Sequence, residues 1–208
     1  MKKSYEKNYI EYINRGLSDS ICKLNGKEVS MENFFTSITN FLNNTLKNNG
    51  KIYFFGNGAS ASFSNHMALD WSKNGGILSF SLSDSSMLTA LANDYSFKDS
   101  FVEFLKINSP TNNDLVITTS SSGNSPNIVS VLNYCSINNI TTLGLSGLKD
   151  DNKSVQLSTY SLFVPMKTYG MVECIHQVFH HLLLDKYMKI NEWEKLESQN
   201  MNSNNFKL

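Results

Sequence analysis

Hydrophobic and polar positions follow two different patterns along the chain. Over residues 4 to about 48, apolar residues recur every three or four positions, as in Tyr9, Ile13 and Leu17. The same spacing returns between Phe34 and Leu46. Because one face of an α-helix carries every third or fourth residue, this segment predicts two amphipathic helices separated by the break at Asn25-Gly26.

The pattern of apolar residues changes after residue 50. Short apolar runs rich in β-branched and aromatic residues alternate with longer helix-like stretches, the last of which covers about 170–189. The runs lie at 51–55, 77–82, 114–118, 140–145 and 161–165. Strands that alternate with helices in this way are typical of a parallel sheet covered on both faces, so the pattern predicts an α/β fold with three α/β/α layers. Residues 1–190 are predicted to form a single domain, and the polar segment 191–208 a disordered tail.

Composition narrows the classes of function. The chain has 208 residues, 17% of them charged and 40% hydrophobic, with a formal net charge of zero. No basic stripe favours nucleic acid as a partner, and no apolar run approaches the length of a membrane span. The N-terminal residues do not resemble a signal peptide, and three cysteines without CxxC spacing favour neither disulfides nor a zinc ribbon. These features predict a soluble cytoplasmic protein.

A serine-rich loop is the most informative motif. Residues 119–127 read Thr-Ser-Ser-Ser-Gly-Asn-Ser-Pro-Asn and connect a predicted strand to a predicted helix. Ser125 is expected to cap this helix, with Pro126 at its first position. Hydroxyls and free backbone N–H groups at a helix N-terminus attract anions. Without a lysine the loop is no nucleotide P-loop, and it suits a single phosphate group, as on a sugar phosphate. An ordinary serine-rich turn is the alternative interpretation.

A second strand-to-helix loop has similar character. Residues 56–60 read Gly-Asn-Gly-Ala-Ser directly after a predicted strand, and Ser60 is expected to cap the following helix. In open parallel sheets, ligands bind beyond the carboxyl ends of the strands. Two such loops in one sheet therefore predict a shared ligand site.

Titratable residues form two helical pairs. His66 and Asp70 share a face at i,i+4 on the helix after the glycine loop, and His176 and His180 repeat that spacing on the last helix. Either pair has a purely structural interpretation. His66 and Asp70 could be a surface ion pair, and histidines in an apolar run are often core residues bonded to the backbone. That second interpretation is preferred for His176 and for His181.

Taken together, these motifs resemble the sugar isomerase (SIS) domain and, within that family, the bacterial phosphoheptose isomerases. The resemblance covers about residues 50–188. It is carried by residues 56–60, Ser83-Asp84, Asn93-Asp94-Tyr95, residues 120–127, and Glu173 and His180 on the last helix. The resemblance implies a doubly wound, five-stranded parallel sheet whose N-terminal helices pack in a homotetramer with active sites between subunits. It implies conversion of sedoheptulose 7-phosphate to D-glycero-D-manno-heptose 7-phosphate, for lipopolysaccharide or capsule.

The same resemblance implies roles for individual residues. Phosphate-holding positions match Ser60, Ser120, Ser122 and Ser125, and sugar-lining positions match Asn57, Asp94 and Ser121. Asp70 and His180 match the acid/base pair, and His66, Asp70 and His180 match zinc ligands. Two positions depart from the family, since Asp70 replaces a glutamate and Val172 replaces a glutamine eight residues before the histidine. Valine cannot ligate a metal, so both a zinc enzyme and a metal-free enzyme remain open.

Two other functions compete with the isomerase. A non-catalytic SIS protein, either a phosphosugar sensor or a scaffold of the type that associates with the replication initiator, would keep the phosphate loops without an acid/base pair. Retention of His180 and of a carboxylate at Asp70 argues against it. Amino-sugar enzymes of the family are generally larger and often carry two such domains, so that alternative ranks lower.

Overall fold

The computed structural model describes residues 4–191 and residue 193. The helices are α1 (Tyr5–Ser18), α2 (Met31–Lys47), α3 (Ala59–Lys73), α4 (Ser85–Asp94), α5 (Ser100–Ile107), α6 (Pro126–Ile137), α7 (Lys153–Leu157) and α8 (Tyr169–Met188). The strands are β1 (Ile21–Leu24), β2 (Lys27–Val29), β3 (Ile52–Gly56), β4 (Ser79–Ser81), β5 (Leu115–Ser120), β6 (Thr141–Gly147) and β7 (Tyr160–Val164). Almost all of the predicted polar tail lies outside the described residues.

The strands form one sheet in the order β2-β1-β7-β6-β5-β3-β4. The five strands from β7 to β4 run parallel to one another and coincide with the five predicted apolar runs. The α/β prediction is therefore confirmed. The predicted number of strands is wrong, because β1 and β2 extend the sheet to seven by antiparallel pairing along the free edge of β7.

The additional strands come from the segment between the first two helices. Asn25 and Gly26 both have positive φ, at 50° and 77°, and join β1 to β2 in a two-residue turn. This is the conformation that Asn-Gly favours in a β-hairpin. The predicted break is therefore the tip of a hairpin. Ser30 caps α2, since its side chain accepts a hydrogen bond from the backbone N–H of Asn33 at 3.2 Å.

Two hydrophobic layers cover the sheet. In β3, Ile52 and Phe54 point to the layer made with α2, α3 and α8, whereas Tyr53 and Phe55 point to the layer made with α5 and α6. Because successive strand residues face opposite sides, a strand buried on both faces is apolar throughout. This arrangement gives the three layers that the sequence predicts. Within residues 4–191, no helix combines the length and the apolar character needed to cross a membrane.

The topology determines where a ligand can bind. From β3 the chain passes through α3, on one face, to β4, while from β5 it passes through α6, on the other face, to β6. Since β3 and β5 are neighbours whose connections leave in opposite directions, a crevice opens beyond their carboxyl ends. Both predicted loops border this crevice.

Candidate active site

The serine loop connects β5 to α6 as predicted. Ser125 is the N-cap residue of α6 and Pro126 takes the first helical position, but the Ser125 side chain makes no capping hydrogen bond. Its hydroxyl instead lies 3.4 Å from the hydroxyl of Ser120 at the end of β5. The expected cap is therefore correct in position and wrong in its bonding. The two hydroxyls are left facing each other at the mouth of the crevice.

Asn152 packs against the serine loop and supports it. Its amide, 1% exposed, donates to the hydroxyl of Ser146 on β6 at 3.1 Å. Gly123 lies directly above with φ of 64°, and a side chain there would collide with the Asn152 amide. The backbone of Ser121 is held as well, since its carbonyl accepts from Gly147 N–H at 3.0 Å. The loop is thus fixed before any ligand arrives, as a preformed anion site requires.

The glycine loop differs from prediction at its cap. Gly58, with φ of 57°, is the N-cap of α3, and Ser60 lies within the first turn of the helix. The expected capping role of Ser60 is therefore wrong. Ser60 is buried against Gly56, where an added Cβ would meet the Ser60 backbone at 2.6 Å. The close approach explains the glycine and sets the Ser60 side chain beside the end of β3.

An amide pair joins the two loops. The side chains of Asn57 and Asn127 exchange two hydrogen bonds, of 3.0 and 2.9 Å, and Asn127 is 1% exposed. Asn127 was not predicted as a site residue, although it ends the serine motif. The pair brings the predicted positions of the two loops together. Asp94 is not bonded to either loop in the part of the chain that the structure describes; it is exposed at the end of α4 and accepts from Asn93.

A histidine and a carboxylate project from α3. Nε2 of His66 lies 3.2 Å from Oδ2 of Asp70, with side-chain exposures of 49% and 18%. The ring of His181 on α8 lies near, its centroid 5.4 Å from that of His66. Ligand atoms of all three residues lie within 4.8 Å of one another. We call His66, Asp70 and His181 the α3–α8 cluster.

His180 occupies a different environment from His181. It is 3% exposed, and its Nε2 lies 2.9 Å from the hydroxyl of Thr119 on β5. Burial, with smaller contributions from His176 and His181, lowers the pKa of His180 to about 3. His180 was predicted as a metal ligand and as the acid/base histidine, and these roles stay predictions; the histidine that lies beside His66 and Asp70 is the adjacent residue, His181. His176 is a core histidine as expected, fully buried with Nε2 donating to Ser146 O at 3.1 Å.

The residues eight positions before His180 and His181 on α8 also differ in environment. Val172 is fully buried and packs against Gly147, where a Cβ would collide with it. Glu173 is half-buried and lies eight residues before His181, on the same side of the helix. Glu173 and His181 thus repeat the eight-residue spacing of Val172 and His180, with a polar residue at the first position.

The α3–α8 cluster suits a zinc ion. Two imidazoles and a carboxylate are ligands that Zn²⁺ favours, and three protein ligands leave a coordination position open in catalytic sites. Separations of up to 4.8 Å between donor atoms need only modest side-chain rotation to converge. The donor set is therefore compatible with the metal that the resemblance implied.

Comparisons with known proteins identify the family and support the fold. The SIS domain matches residues 28–147. A phosphoheptose isomerase of Helicobacter pylori (strain Shi470) is 37% identical over 150 residues, covering 68% of this chain and 76% of the relative. One of Aneurinibacillus thermoaerophilus is 34% identical over 143 residues, covering 66% of this chain and 71% of the relative. The structure of phosphoheptose isomerase GmhA from Neisseria gonorrhoeae superposes with a TM-score of 0.74, covering 89% of this chain and 96% of that one at 24% identity.

Proposed function

Because this chain belongs to the SIS domain family and, within it, to the phosphoheptose isomerases, we propose that it converts sedoheptulose 7-phosphate to D-glycero-D-manno-heptose 7-phosphate. The observation that carries the proposal is the α3–α8 cluster, which combines a carboxylate with two imidazoles on two helices of the same layer. Aldose–ketose isomerisation needs paired proton donors and acceptors next to a held phosphate.

The phosphate is proposed to bind in the serine loop. Ser120, Ser122 and Ser125 supply hydroxyls at the N-terminal end of α6, whose helix dipole favours an anion. Ser60 joins them from the first turn of α3, while Asn57 and Ser121 line the sugar. Asp94 keeps its predicted sugar-binding role as part of this proposal. Binding the phosphate at a fixed loop places the carbonyl end of the heptose at a defined distance from the α3–α8 cluster.

Asp70 and His181 are the proposed acid/base pair. One group takes the proton from C1 of the ketose and returns it to C2, through an enediol in which C1 and C2 share the double bond. The other carries the proton from O1 to O2 in step with it. Each transfer leaves the pair as it began, so no external reductant or oxidant is needed. Positioned acid/base groups contribute about 10²- to 10⁴-fold each to such a reaction.

A zinc ion would be held by His66, Asp70 and His181. When bound, zinc supplies polarisation of the substrate's carbonyl oxygen. Leu69, 60% exposed, and Val178, 42% exposed, flank this cluster on α3 and α8, which supports the prediction that a second subunit covers the site in a homotetramer. A cytoplasmic location and a product that feeds lipopolysaccharide or capsule synthesis stay predictions.

The test is conversion of sedoheptulose 7-phosphate by the purified full-length protein, followed by NMR with and without a chelator. Aldoheptose phosphate signals are expected from the wild type. Asp70→Asn and His181→Gln should each lose at least about 100-fold in turnover while retaining ligand-induced thermal stabilisation. Asp151→Asn, an exposed carboxylate on the loop before α7, is the matched control. Stabilisation without any conversion by the wild type would favour the non-catalytic phosphosugar-binding alternative.

A further inference from the structure

Two histidines are buried side by side on the inner face of α8, and the proposed chemistry uses neither. His176 and His180 are 0% and 3% exposed and lie one helical turn apart. Each makes a hydrogen bond near the end of a different strand. His180 bonds to the hydroxyl of Thr119 on β5, and His176 bonds to the carbonyl of Ser146 on β6. Thr119 is the residue immediately before the first serine of the loop. The contacts therefore reach the base of the proposed phosphate site.

Burial keeps both imidazoles neutral. The pKa of His176 is lowered to about 4 and that of His180 to about 3, mainly because desolvation penalises the charged ring. A carbonyl only accepts hydrogen bonds, so Nε2 of His176 carries its proton and donates it to Ser146 O. Each ring is held through its Nε2 by one hydrogen bond to the end of a strand, an arrangement suited to fixing geometry.

The same strand ends hold the serine loop. Ser146 receives the Asn152 amide on its hydroxyl, and Asn152 lies beneath Gly123 of the loop. On α8, His181 follows His180 directly, and successive helical residues point about 100° apart. The rotation and height of α8 at His180 therefore determine where His181 lies relative to the loop.

Building on the proposed function, we propose that His180 and Thr119 form a positioning pair that sets the distance between the acid/base residue His181 and the phosphate-binding serine loop. His176 assists by fixing the preceding turn of α8 to β6. Neither histidine touches the substrate. The pair acts on catalysis through the placement of His181, where a displacement of about 1 Å can cost about 100-fold in rate.

The test compares variants by kcat and KM for sedoheptulose 7-phosphate. Thr119→Val keeps the branched shape and removes the hydroxyl, and His180→Leu removes the ring. Each is expected to lower kcat about 10- to 100-fold and to change KM less than about threefold, because the loop itself is intact. The double variant should be no worse than the poorer single one, since both remove the same contact.

His180→Gln provides the rescue, since a glutamine amide can reach the Thr119 hydroxyl and should recover most of the lost kcat. Thr118→Val is the matched control: Thr118 lies next to Thr119 on β5, and its buried hydroxyl has no hydrogen-bond partner within the described residues. It should leave kcat unchanged. If Thr119→Val does not fold, Thr119→Ser, which keeps the hydroxyl, is compared with Thr119→Ala in its place.

Three outcomes would overturn the proposal. The first is wild-type kcat in folded Thr119→Val and His180→Leu, which would make the contact merely structural. The second is an inactive His180→Gln beside a nearly normal Thr119→Val, which would give His180 the acid/base role itself. The third is a rise in KM without a fall in kcat. Failure of the proposed function is distinguishable, because the wild type would then show no isomerisation at all.

Discussion

Lowering the pH from 7.5 to 5 should destabilise the protein through His176 and His180. Both pKa values are lowered by burial, to about 4 and about 3, from an ordinary value of 6.5 that applies in the unfolded chain. Between these limits the unfolded state binds more protons than the folded state, so the free energy of unfolding falls as the pH falls through 6.5. The contribution of the two neutral histidines to stability is fully present above pH 6.5. Its loss levels off only near pH 3 to 4, where the folded state also binds the protons.

The size of the effect follows from linkage. Each histidine contributes about 1.4 kcal/mol per pH unit below 6.5, hence about 2 kcal/mol at pH 5 and about 4 kcal/mol for the pair. Domains of this kind have a total stability of about 5–15 kcal/mol, so the loss should be readily visible.

The free energy of unfolding can be measured at pH 7.5, 6 and 5 by urea unfolding, followed by far-ultraviolet circular dichroism. The wild type is compared with His176→Gln/His180→Gln, because the carboxylates titrate alike in both proteins and cancel. Between pH 7.5 and 5, the free energy of unfolding of the wild type should fall by about 4 kcal/mol more than that of the double variant. For either single variant, it should fall by about 2 kcal/mol more than that of the double variant. Parallel pH dependences, within about 0.5 kcal/mol, would refute the reasoning and show that the rings are hydrated or already paired when charged.

Two further predictions concern the loop and the sheet. Ser122→Ala with Ser125→Ala should raise KM for sedoheptulose 7-phosphate at least about tenfold, because phosphate contacts are lost, and an unchanged KM in initial-rate assays would remove the serine loop from the phosphate site. Asp114→Ala should cost about 2–4 kcal/mol in chemical unfolding, since this buried carboxylate accepts from the backbone N–H groups of Lys51 and Thr111, both at 2.6 Å. Its kcat, measured on folded protein, should stay at the wild-type value, and a large fall would link that end of the sheet to catalysis.

The central strands and their loops could be predicted because local sequence determines them. β3 and β5 are apolar throughout, since both faces are covered, and their ends are marked by glycine and serine motifs. The hairpin was missed although its signal was present. Asn25-Gly26 is a favoured type I′ turn, but the flanking residues, such as Lys23 and Glu28, are polar because this edge of the sheet is partly open to solvent.

The sequence pattern did not predict which of His180 and His181 lies beside His66 and Asp70, for a different reason. α8 carries apolar residues on most of its surface, so periodicity does not show which of His180 and His181 faces the core. Only the packing of α8 against β5 decides it, through the contact of His180 with Thr119. That contact joins residues far apart in the chain, and a pattern read along a single segment does not contain it.

The N-terminal hairpin has a consequence for how the chain acquires its structure. β1 pairs with β7 across roughly 140 residues of intervening sequence, Ile21 lying opposite Phe163. During synthesis, the hairpin has no edge to join until nearly the whole sheet has left the ribosome. Contacts between such distant segments slow folding, and an unpaired edge of β7 offers a template for association with other chains. We therefore expect the hairpin of β1 and β2 to join the sheet late and to protect the edge of β7 from aggregation.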